Sequence, residues 1–138
     1  MKVKTENIFQ ITEIAATRKE VYASLTDYKT FFAITGLHAD FKAEKGSYFE
    51  SENKKVSGYF LAYEENEFIV MTWRHAYFFR GIHTIVHIEL TDMENGGTRI
   101  HFNHIGVPEE HAGWLTNHWK QDVWAMFQAH FAGLKNQL

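Results

Sequence analysis

The sequence predicts an α+β domain in which one long helix packs across an antiparallel sheet. Three observations predict this class. A strand pattern and two short helical patterns occupy the chain up to Gly36, and apolar residues alternate with a period of two from about Ala39. A long amphipathic helical pattern then begins at Pro108. Strands and helices that are segregated along the chain in this way are typical of α+β folds.

Length and composition are those of a single domain, residues 1–138. The formal net charge of −3 argues against nucleic acid as a partner. The lack of cysteine excludes disulfides, thiolate catalysis and thiolate metal sites. We find neither a signal-peptide pattern nor an apolar run of about 18 residues, so we expect no membrane insertion and a cytoplasmic location.

The first strand and helix are predicted from local patterns. The segment Asn7–Ile14 mixes apolar and polar residues as a strand does. Thr17 and Glu20 have the spacing of a capping box, which marks the start of a helix. Val21 and Leu25 then lie on one face of that helix, which we expect to be buried.

A second short helix is predicted over Tyr28–Thr35. Asp27 is suited to cap its N-terminus, and Gly36 is suited to end it in a left-handed conformation. The two helices together separate the first strand from the rest of the sheet.

Two hairpins follow in the period-two region. Tyr59–Tyr63 and Phe68–Arg74 flank a polar turn, and Ile82–Thr91 and Gly97–Val107 flank another. The intervening segment His75–Gly81 is predicted to be a loop. The pattern therefore predicts four strands joined as antiparallel neighbours.

The register of the second hairpin is predicted from facing pairs. Pairing Leu90 with Thr98 makes one face mostly apolar and places an opposite-charge pair on the other. In this register Thr84 lies opposite His104, and the outward-facing His87 lies opposite His101. The predicted core positions of the hairpin are Val86, Ile88, Leu90, Ile100 and Phe102.

The C-terminal helix is predicted to begin with Pro108 in its first turn and to reach about Leu134, a length of roughly 40 Å. Its apolar stripe is predicted to consist of Leu115, Trp119, Val123, Met126, His130 and Leu134, widened by Phe127. Trp114 and Trp124 lie off this stripe.

Four segments, in order, resemble the SRPBCC superfamily of START-like, helix-grip domains, and within it the heat-shock-protein-90 ATPase activator-like family. They are EIAATRKEVYASLTD (13–27), MTWR (71–74), IHTIVHIELTD (82–92) and GGTRIHFNHIGVPEEH (96–111). The resemblance implies a curved antiparallel sheet that grips the long helix and encloses a cavity between them, which is apolar in many relatives.

The resemblance implies that the chain binds an apolar or aromatic small molecule, lipid-like or polyketide-like, in this cavity. The residues expected to line it are Phe49, Phe60, Trp73, Thr84, Val86, Phe102, His104, Trp119, Val123 and Met126. Two alternatives stay open: an interaction domain associated with heat-shock protein 90, and a small enzyme of the cyclase or hydrolase kind. We expect no cofactor.

The histidines do not predict a metal site. His101 and His104 lie three apart on a strand and point to opposite faces, while His111 and His118 are two helical turns apart. His104 is the exception because it faces the helix. It either bonds a polar ligand or acts as a base, or it is a hydrogen-bonded core residue, and we favour the core role. We see no nucleophile motif, so the sequence favours a protein that is not an enzyme.

The first hairpin carries more large apolar and aromatic side chains than one core can bury. Tyr59, Leu61 and Tyr63 are predicted to share a face of the first hairpin with Phe68 and Val70, opposite the face that carries Phe60 and Trp73. A single sheet covered on one side leaves such a face exposed, and exposed apolar patches tend to mark contact sites. A homodimer or a protein partner is therefore expected as an alternative use of this surface.

Overall fold

The computed structural model describes residues 2–136 and contains one antiparallel sheet of seven strands. The strands are β1 (Thr5–Ile14), β2 (Ala39–Asp40), β3 (Tyr48–Ser51), β4 (Val56–Glu64), β5 (Phe68–His75), β6 (Thr84–Asp92) and β7 (Thr98–Pro108). Their order across the sheet is β1-β7-β6-β5-β4-β3-β2. The first strand therefore crosses the molecule to pair with the last, and the rest of the sheet follows the chain.

Two short helices, α1 (Arg18–Thr26) and α2 (Tyr28–Thr35), connect β1 to β2. The C-terminal helix has three continuous segments, namely α3 (Glu109–Asn117), a π-helical segment (His118–Trp124) and α4 (Ala125–Asn136). It packs on β1 and β7 and touches α2. The curved sheet with one long helix across it confirms the predicted α+β, helix-grip fold. None of the helices in residues 2–136 combines the length and apolarity that a membrane crossing requires.

The predicted caps set the ends of the short helices. The Thr17 hydroxyl accepts from the backbone N–H of Glu20, whose carboxylate accepts from the backbone N–H of Thr17, so the capping box is complete. Gly36 ends α2 with a φ of 74°, as its lack of a Cβ allows. Asp27 differs from the prediction because its carboxylate accepts from the Thr30 hydroxyl and caps no backbone donor.

The observed register of the β6–β7 hairpin corrects the predicted pairs by two residues. Leu90 lies opposite Ile100 instead of Thr98, and Val86 lies opposite His104. A three-residue turn that ends with Gly96 at a φ of 86° sets this register. Because side chains alternate along a strand, a shift of two residues leaves every side chain on its predicted face. The predicted core positions of this hairpin are all buried.

The outward-facing pairs change with the register. His101 lies opposite Glu89 and bonds Thr91, so it does not face His87. The predicted opposite-charge pair of Glu89 and Arg99 is also wrong, because Arg99 lies opposite Thr91 and bonds the carboxylate of Glu13 on β1.

A bulge in β4 corrects the predicted faces of the first hairpin. The register shifts between Phe60 and Ala62, after which Tyr63 lies opposite the buried Ile69. Tyr63 therefore leaves the face that Tyr59 and Leu61 share. Those two side chains remain 48% and 46% exposed on the outer surface.

Gly58 marks the tightest approach in the sheet. A Cβ added there would lie 2.0 Å from the carbonyl oxygen of Thr72 and 2.8 Å from the ring of Phe49. The neighbouring N–H of Tyr59 bonds the Thr72 hydroxyl at 2.8 Å. A glycine is thus required where β3, β4 and β5 crowd together, on the side of the sheet that forms the cavity.

The π-helical segment corrects the predicted stripe of the C-terminal helix. Leu115, Trp119 and Val123 are buried as predicted, but Met126 and Leu134 are 41% and 46% exposed. The stripe continues through Phe127, as predicted, and through Trp124 and Phe131, which were not part of the prediction. A π turn holds more residues than the 3.6 of an α-helix, so it rotates the following residues backwards relative to the predicted phase. The helix also begins one residue later than predicted, since Pro108 is the last residue of β7.

Candidate ligand cavity

A cavity of about 490 Å³ lies between the sheet, the C-terminal helix and the α1–α2 region. The sheet contributes side chains from β3, β4, β5 and β6, the helix contributes its middle, and α1, α2 and the segment after α2 close the third side. Its apolar lining consists of Leu25, Phe31, Leu37, Phe41, Phe49, Val56, Phe60, Ile69, Met71, Trp73, Ile88, Trp114, Trp119, Val123 and Trp124.

Aromatic rings dominate the walls. The indoles of Trp119 and Trp124 stack with their planes 22° apart and their centroids 6.0 Å apart. Trp73 approaches Trp119 at 5.8 Å, and across the cavity Phe41 packs against Phe60 at 5.7 Å. A space lined in this way favours a flat, apolar occupant, because ring faces and edges offer large contact areas at fixed positions.

The structure places the ten predicted cavity residues in three groups. Phe49, Phe60, Trp73, Trp119 and Val123 line the cavity. Thr84, Val86, Phe102 and His104 do not line it, because they are fully buried where sheet and helix are in contact. Met126 does not line it either, because the π-helical segment turns it towards solvent.

The cavity therefore lies to one side of the sheet–helix contact. The ring of Phe102 packs 4.5 Å from Trp119, which leaves no space between β7 and the helix. The space opens further along the sheet, where β3 to β5 extend past the helix towards α2. The sequence pattern shows only which side chains point inward, and residues of the closed contact and of the cavity both do so. The prediction therefore included residues of both regions.

His104 belongs to a closed chain of hydrogen bonds. The indole N–H of Trp119 donates to Nδ1 of His104 at 3.1 Å, and Nε2 lies 2.7 Å from the Thr84 hydroxyl. That hydroxyl donates in turn to the carbonyl oxygen of Trp73 at 2.7 Å. Because an indole only donates, Nδ1 must accept, and the proton of the neutral ring is assigned to Nε2.

Burial keeps this imidazole neutral. Desolvation, with a smaller contribution from His118, lowers the pKa of His104 to about 3. Both ring nitrogens are engaged, so neither is left to abstract a proton from a substrate. The structure thus gives His104 the hydrogen-bonded core role that the sequence favoured.

The mouth of the cavity is polar. It is formed by His38, Ser51, Glu52, Asn53, Lys55, His75 and His118. Nδ1 of His38 bonds the Glu52 carboxylate at 2.7 Å, and Nδ1 of His118 bonds the Asp122 carboxylate at 2.9 Å. The cavity is therefore amphipathic, with an aromatic interior and a rim of charged and hydrogen-bonding groups.

Several lining residues were missed by sequence reasoning. Trp114 and Trp124 were set aside because they lie off a regular α-helical stripe, and only the π-helical segment brings Trp124 inward. His75 was assigned to a loop, although it lies two residues after the inward-facing Trp73 and so shares its face. That alternation was the signal that could have identified it.

Among residues 2–136, no group of three or more histidine and acidic side chains is arranged to hold a metal ion. His87 and His101, the pair that the sequence placed opposite each other, lie opposite Asn103 and Glu89.

The fold and the cavity together define a helix-grip domain of the START-like superfamily. Residues 15–134 match the model of the family described as "Activator of Hsp90 ATPase homolog 1-like protein", so the chain belongs to that family. The resemblance stated from the sequence is thereby confirmed. No curated protein matches the sequence.

Solved structures of similar fold share little sequence with this chain. An HSP90 activator from Plasmodium falciparum has a TM-score of 0.82 at 16% identity, covering 91% of this chain and 96% of that one. A protein from Mesorhizobium loti has a TM-score of 0.74 at 18% identity, covering 96% and 98%. CalU16 from Micromonospora echinospora has a TM-score of 0.71 at 14% identity, covering 97% and 85%. At these identities the likeness concerns the fold alone.

Proposed function

We propose that this protein binds an apolar, largely aromatic small molecule in the cavity between its sheet and its C-terminal helix. The observation that carries the proposal is the space itself. It has a volume of about 490 Å³ beside a sheet–helix contact that is otherwise closely packed. This volume is within the range of roughly 300–1,000 Å³ that is typical of small-molecule pockets.

The proposal is tested with N-phenyl-1-naphthylamine, a neutral aromatic probe whose fluorescence rises in apolar surroundings. We expect the wild-type protein to bind it with saturation at one site. Met71→Trp should abolish binding, because Met71 faces the cavity and a larger side chain fills it. Val70→Trp is the matched control, since Val70 directly precedes Met71 on β5 and its side chain points to the opposite face of the sheet.

Loss of probe binding in both tryptophan variants, or in neither, contradicts binding in this cavity. Circular dichroism and a cooperative unfolding transition establish that each variant is folded. A wild-type protein that binds neither this probe nor any member of a panel of fatty acids and polycyclic aromatics contradicts the proposal as a whole.

A second candidate function is contact with a chaperone of the Hsp90 class. Membership in the activator-like family favours it. The outer face of the sheet offers a surface, because Phe9 and Ile11 of β1 are 58% and 53% exposed there. Tyr59 and Leu61 are exposed on the same face, on β4, which is separated from β1 by three strands. Binding to the Hsp90 homologue of the same organism, measured by calorimetry together with its ATPase rate, tests this function. Phe9→Ser should weaken binding, whereas Met71→Trp, which alters only the cavity, should not.

A further inference from the structure

We infer that the cavity prefers amphipathic aromatic ligands that carry an anionic group, and that this group lies at the mouth beside His75 and Lys55. The inference rests on the proposed binding function and adds the chemical class of the ligand to it. It depends on which hydrogen-bonding groups of the mouth are already engaged and which are not.

His75 offers an unpaired donor at the mouth. Its side chain is 7% exposed, and its Nδ1 accepts the backbone N–H of Tyr77 at 3.1 Å. Burial lowers the pKa of His75, so the ring is neutral at pH 7 and the proton lies on Nε2. Nε2 has no partner among the described residues. This N–H lies on a side chain that lines the cavity, so it is free to donate to an acceptor of a molecule bound there.

Lys55 offers a cation next to this donor. Its ammonium lies 3.5 Å from the Tyr77 hydroxyl and 5.5 Å above that ring, and the centroid of the His75 ring is 4.5 Å from the same ring. The carbonyl oxygen of Lys55 accepts the N–H of Ala76 at 2.7 Å, which fixes the backbone of Lys55 against the chain that follows His75. Lys55 forms no ion pair with another residue of the described chain.

The acidic groups of the mouth are engaged by imidazoles. Glu52 accepts from His38 at 2.7 Å, Asp40 lies 3.8 Å from the other nitrogen of the same ring, and Asp122 accepts from His118. The side-chain carbonyl oxygen of Asn53 accepts from the Ser51 hydroxyl and from the backbone N–H of Lys55, so the NH₂ group of Asn53 is free to donate. The mouth therefore offers Nε2 of His75, the Asn53 NH₂ group and the Lys55 ammonium as donors, which suit an acceptor with negative charge.

The aromatic interior and the donor-rich mouth define an orientation. The apolar part of the ligand lies between the tryptophans of the helix and the phenylalanines of the sheet. Its carboxylate or sulfonate accepts from Nε2 of His75 and faces the ammonium of Lys55. Trp114 covers this position, since its ring packs edge-on against His75 at 4.8 Å.

Two probes with the same ring system test the inference. N-Phenyl-1-naphthylamine is neutral, and 8-anilinonaphthalene-1-sulfonate is the same skeleton with one sulfonate. Both are titrated into the wild-type protein, Lys55→Gln, His75→Phe and the control Lys19→Gln. Lys19 is an exposed lysine on α1. It lies near the end of β5 that is opposite His75, because its neighbour Arg18 bonds the carbonyl oxygen of Asn66, just before β5 begins.

We expect the sulfonate probe to bind more tightly than the neutral probe. Lys55→Gln should weaken the sulfonate probe by about threefold, as befits an exposed charge. His75→Phe should weaken it by about tenfold, because a hydrogen bond to a charged acceptor is lost. The neutral probe should change by less than about twofold in either variant, and Lys19→Gln should change neither probe. The Tyr77 amide should shift in the NMR spectrum with the sulfonate probe only.

The outcomes separate this inference from the function on which it rests. If each of these two variants, Lys55→Gln and His75→Phe, weakens both probes to the same extent, the anionic preference is overturned and cavity binding is left intact. The same holds if the neutral probe binds the wild-type protein more tightly than the sulfonate probe. A sulfonate probe that still binds Met71→Trp reports a surface site and also overturns the inference. If neither probe binds the wild-type protein, the proposed function and the inference fail together. Lys55→Glu, at an exposed position, provides a second variant should His75→Phe not fold.

Discussion

The indole nitrogen of Trp119 lies 3.1 Å from Nδ1 of His104, where β7 meets the C-terminal helix. This bond ties the sheet to the helix at the edge of the cavity, because one face of Trp119 lines the cavity while its N–H bonds the core. The same indole packs on Phe102 at 4.5 Å. The closed core and the open cavity therefore share one side chain, which fixes the position of the wall between them.

Trp119 and Trp124 form a matched pair for measuring this bond. Both are buried indoles that line the cavity, but only the N–H of Trp119 has a partner in the described chain. Replacing either with phenylalanine removes a similar amount of ring. Trp119→Phe additionally leaves Nδ1 of His104 buried without a donor, at a further cost of about 1–3 kcal/mol. Urea denaturation should therefore show Trp119→Phe to be the less stable variant, and equal stabilities would contradict the hydrogen-bond assignment.

Acid should destabilise the protein through His104. The pKa of His104 is about 3 in the folded chain, against an ordinary value of about 6.5 in the unfolded chain. Between these values the unfolded state binds the proton and the folded state does not. This contribution to stability is therefore complete above about pH 6.5 and is lost as the pH falls towards 3. We expect a loss of about 2 kcal/mol in the free energy of unfolding between pH 7 and pH 5.

His104→Leu provides the test of this pH dependence. The variant should be less stable at pH 7, because the Trp119 N–H loses its acceptor, but its stability should fall less on acidification. His83→Gln removes an exposed imidazole and should keep the wild-type loss, since His104 is still present. In the NMR spectrum the ring protons of His104 should not shift between pH 8 and pH 5. A titration within that range would show that the ring is open to water.

Gly58 and Gly113 should respond in opposite directions to alanine. At Gly58 the new Cβ would lie 2.0 Å from the Thr72 carbonyl oxygen, so β4 and β5 must separate. We expect a loss of about 2–4 kcal/mol, similar to other overpacked or strained core sites. At Gly113, in α3, a Cβ meets nothing within 4 Å, and alanine should stabilise the helix by about 0.5–1 kcal/mol. Thermal unfolding of the two variants measures both effects, and a Gly58→Ala variant as stable as wild type would contradict the close approach.

The fold could be predicted from the sequence because its signals are local or alternate strictly. The Thr17–Glu20 capping box and Gly36 define their helix ends by chemistry within a few residues. In the β6–β7 hairpin the predicted pairs were wrong by two residues, yet Val86 and Phe102 are buried as predicted. A period of two determines which face a side chain occupies, and the turn at Gly96 determines the register. The alternating pattern therefore predicts which residues are buried, whereas the turn has to be known before the paired residues can be predicted.

The cavity could be predicted only in part because it depends on departures from regular geometry. The π-helical segment moves Met126 out and Trp124 in, and nothing in a 3.6-residue period indicates where such a segment occurs. The bulge after Phe60 likewise turns Tyr63 to the inner face. His104 faces inward beside Thr84, as predicted, and bonds the Thr84 hydroxyl. Its second partner, the indole of Trp119, comes from a tertiary contact that the strand pattern does not reveal.

Arg74 should control the order of the loop beside the cavity mouth. Its guanidinium donates to the carbonyl oxygens of Phe78, Phe79 and Ile82 at 2.9–3.3 Å, which closes the chain between β5 and β6. Arg74→Lys keeps the charge but cannot serve three acceptors in a fixed plane. Losing about two such bonds should cost about 2 kcal/mol locally, so amide exchange over residues 76–82 should accelerate by roughly 30-fold.

Arg80→Lys is the matched control in the same loop, because Arg80 is exposed and has no side-chain hydrogen bond within residues 2–136. Equal exchange rates in the two variants would show that Arg74 does not hold this loop and that the buried ring of Phe78 fixes it alone.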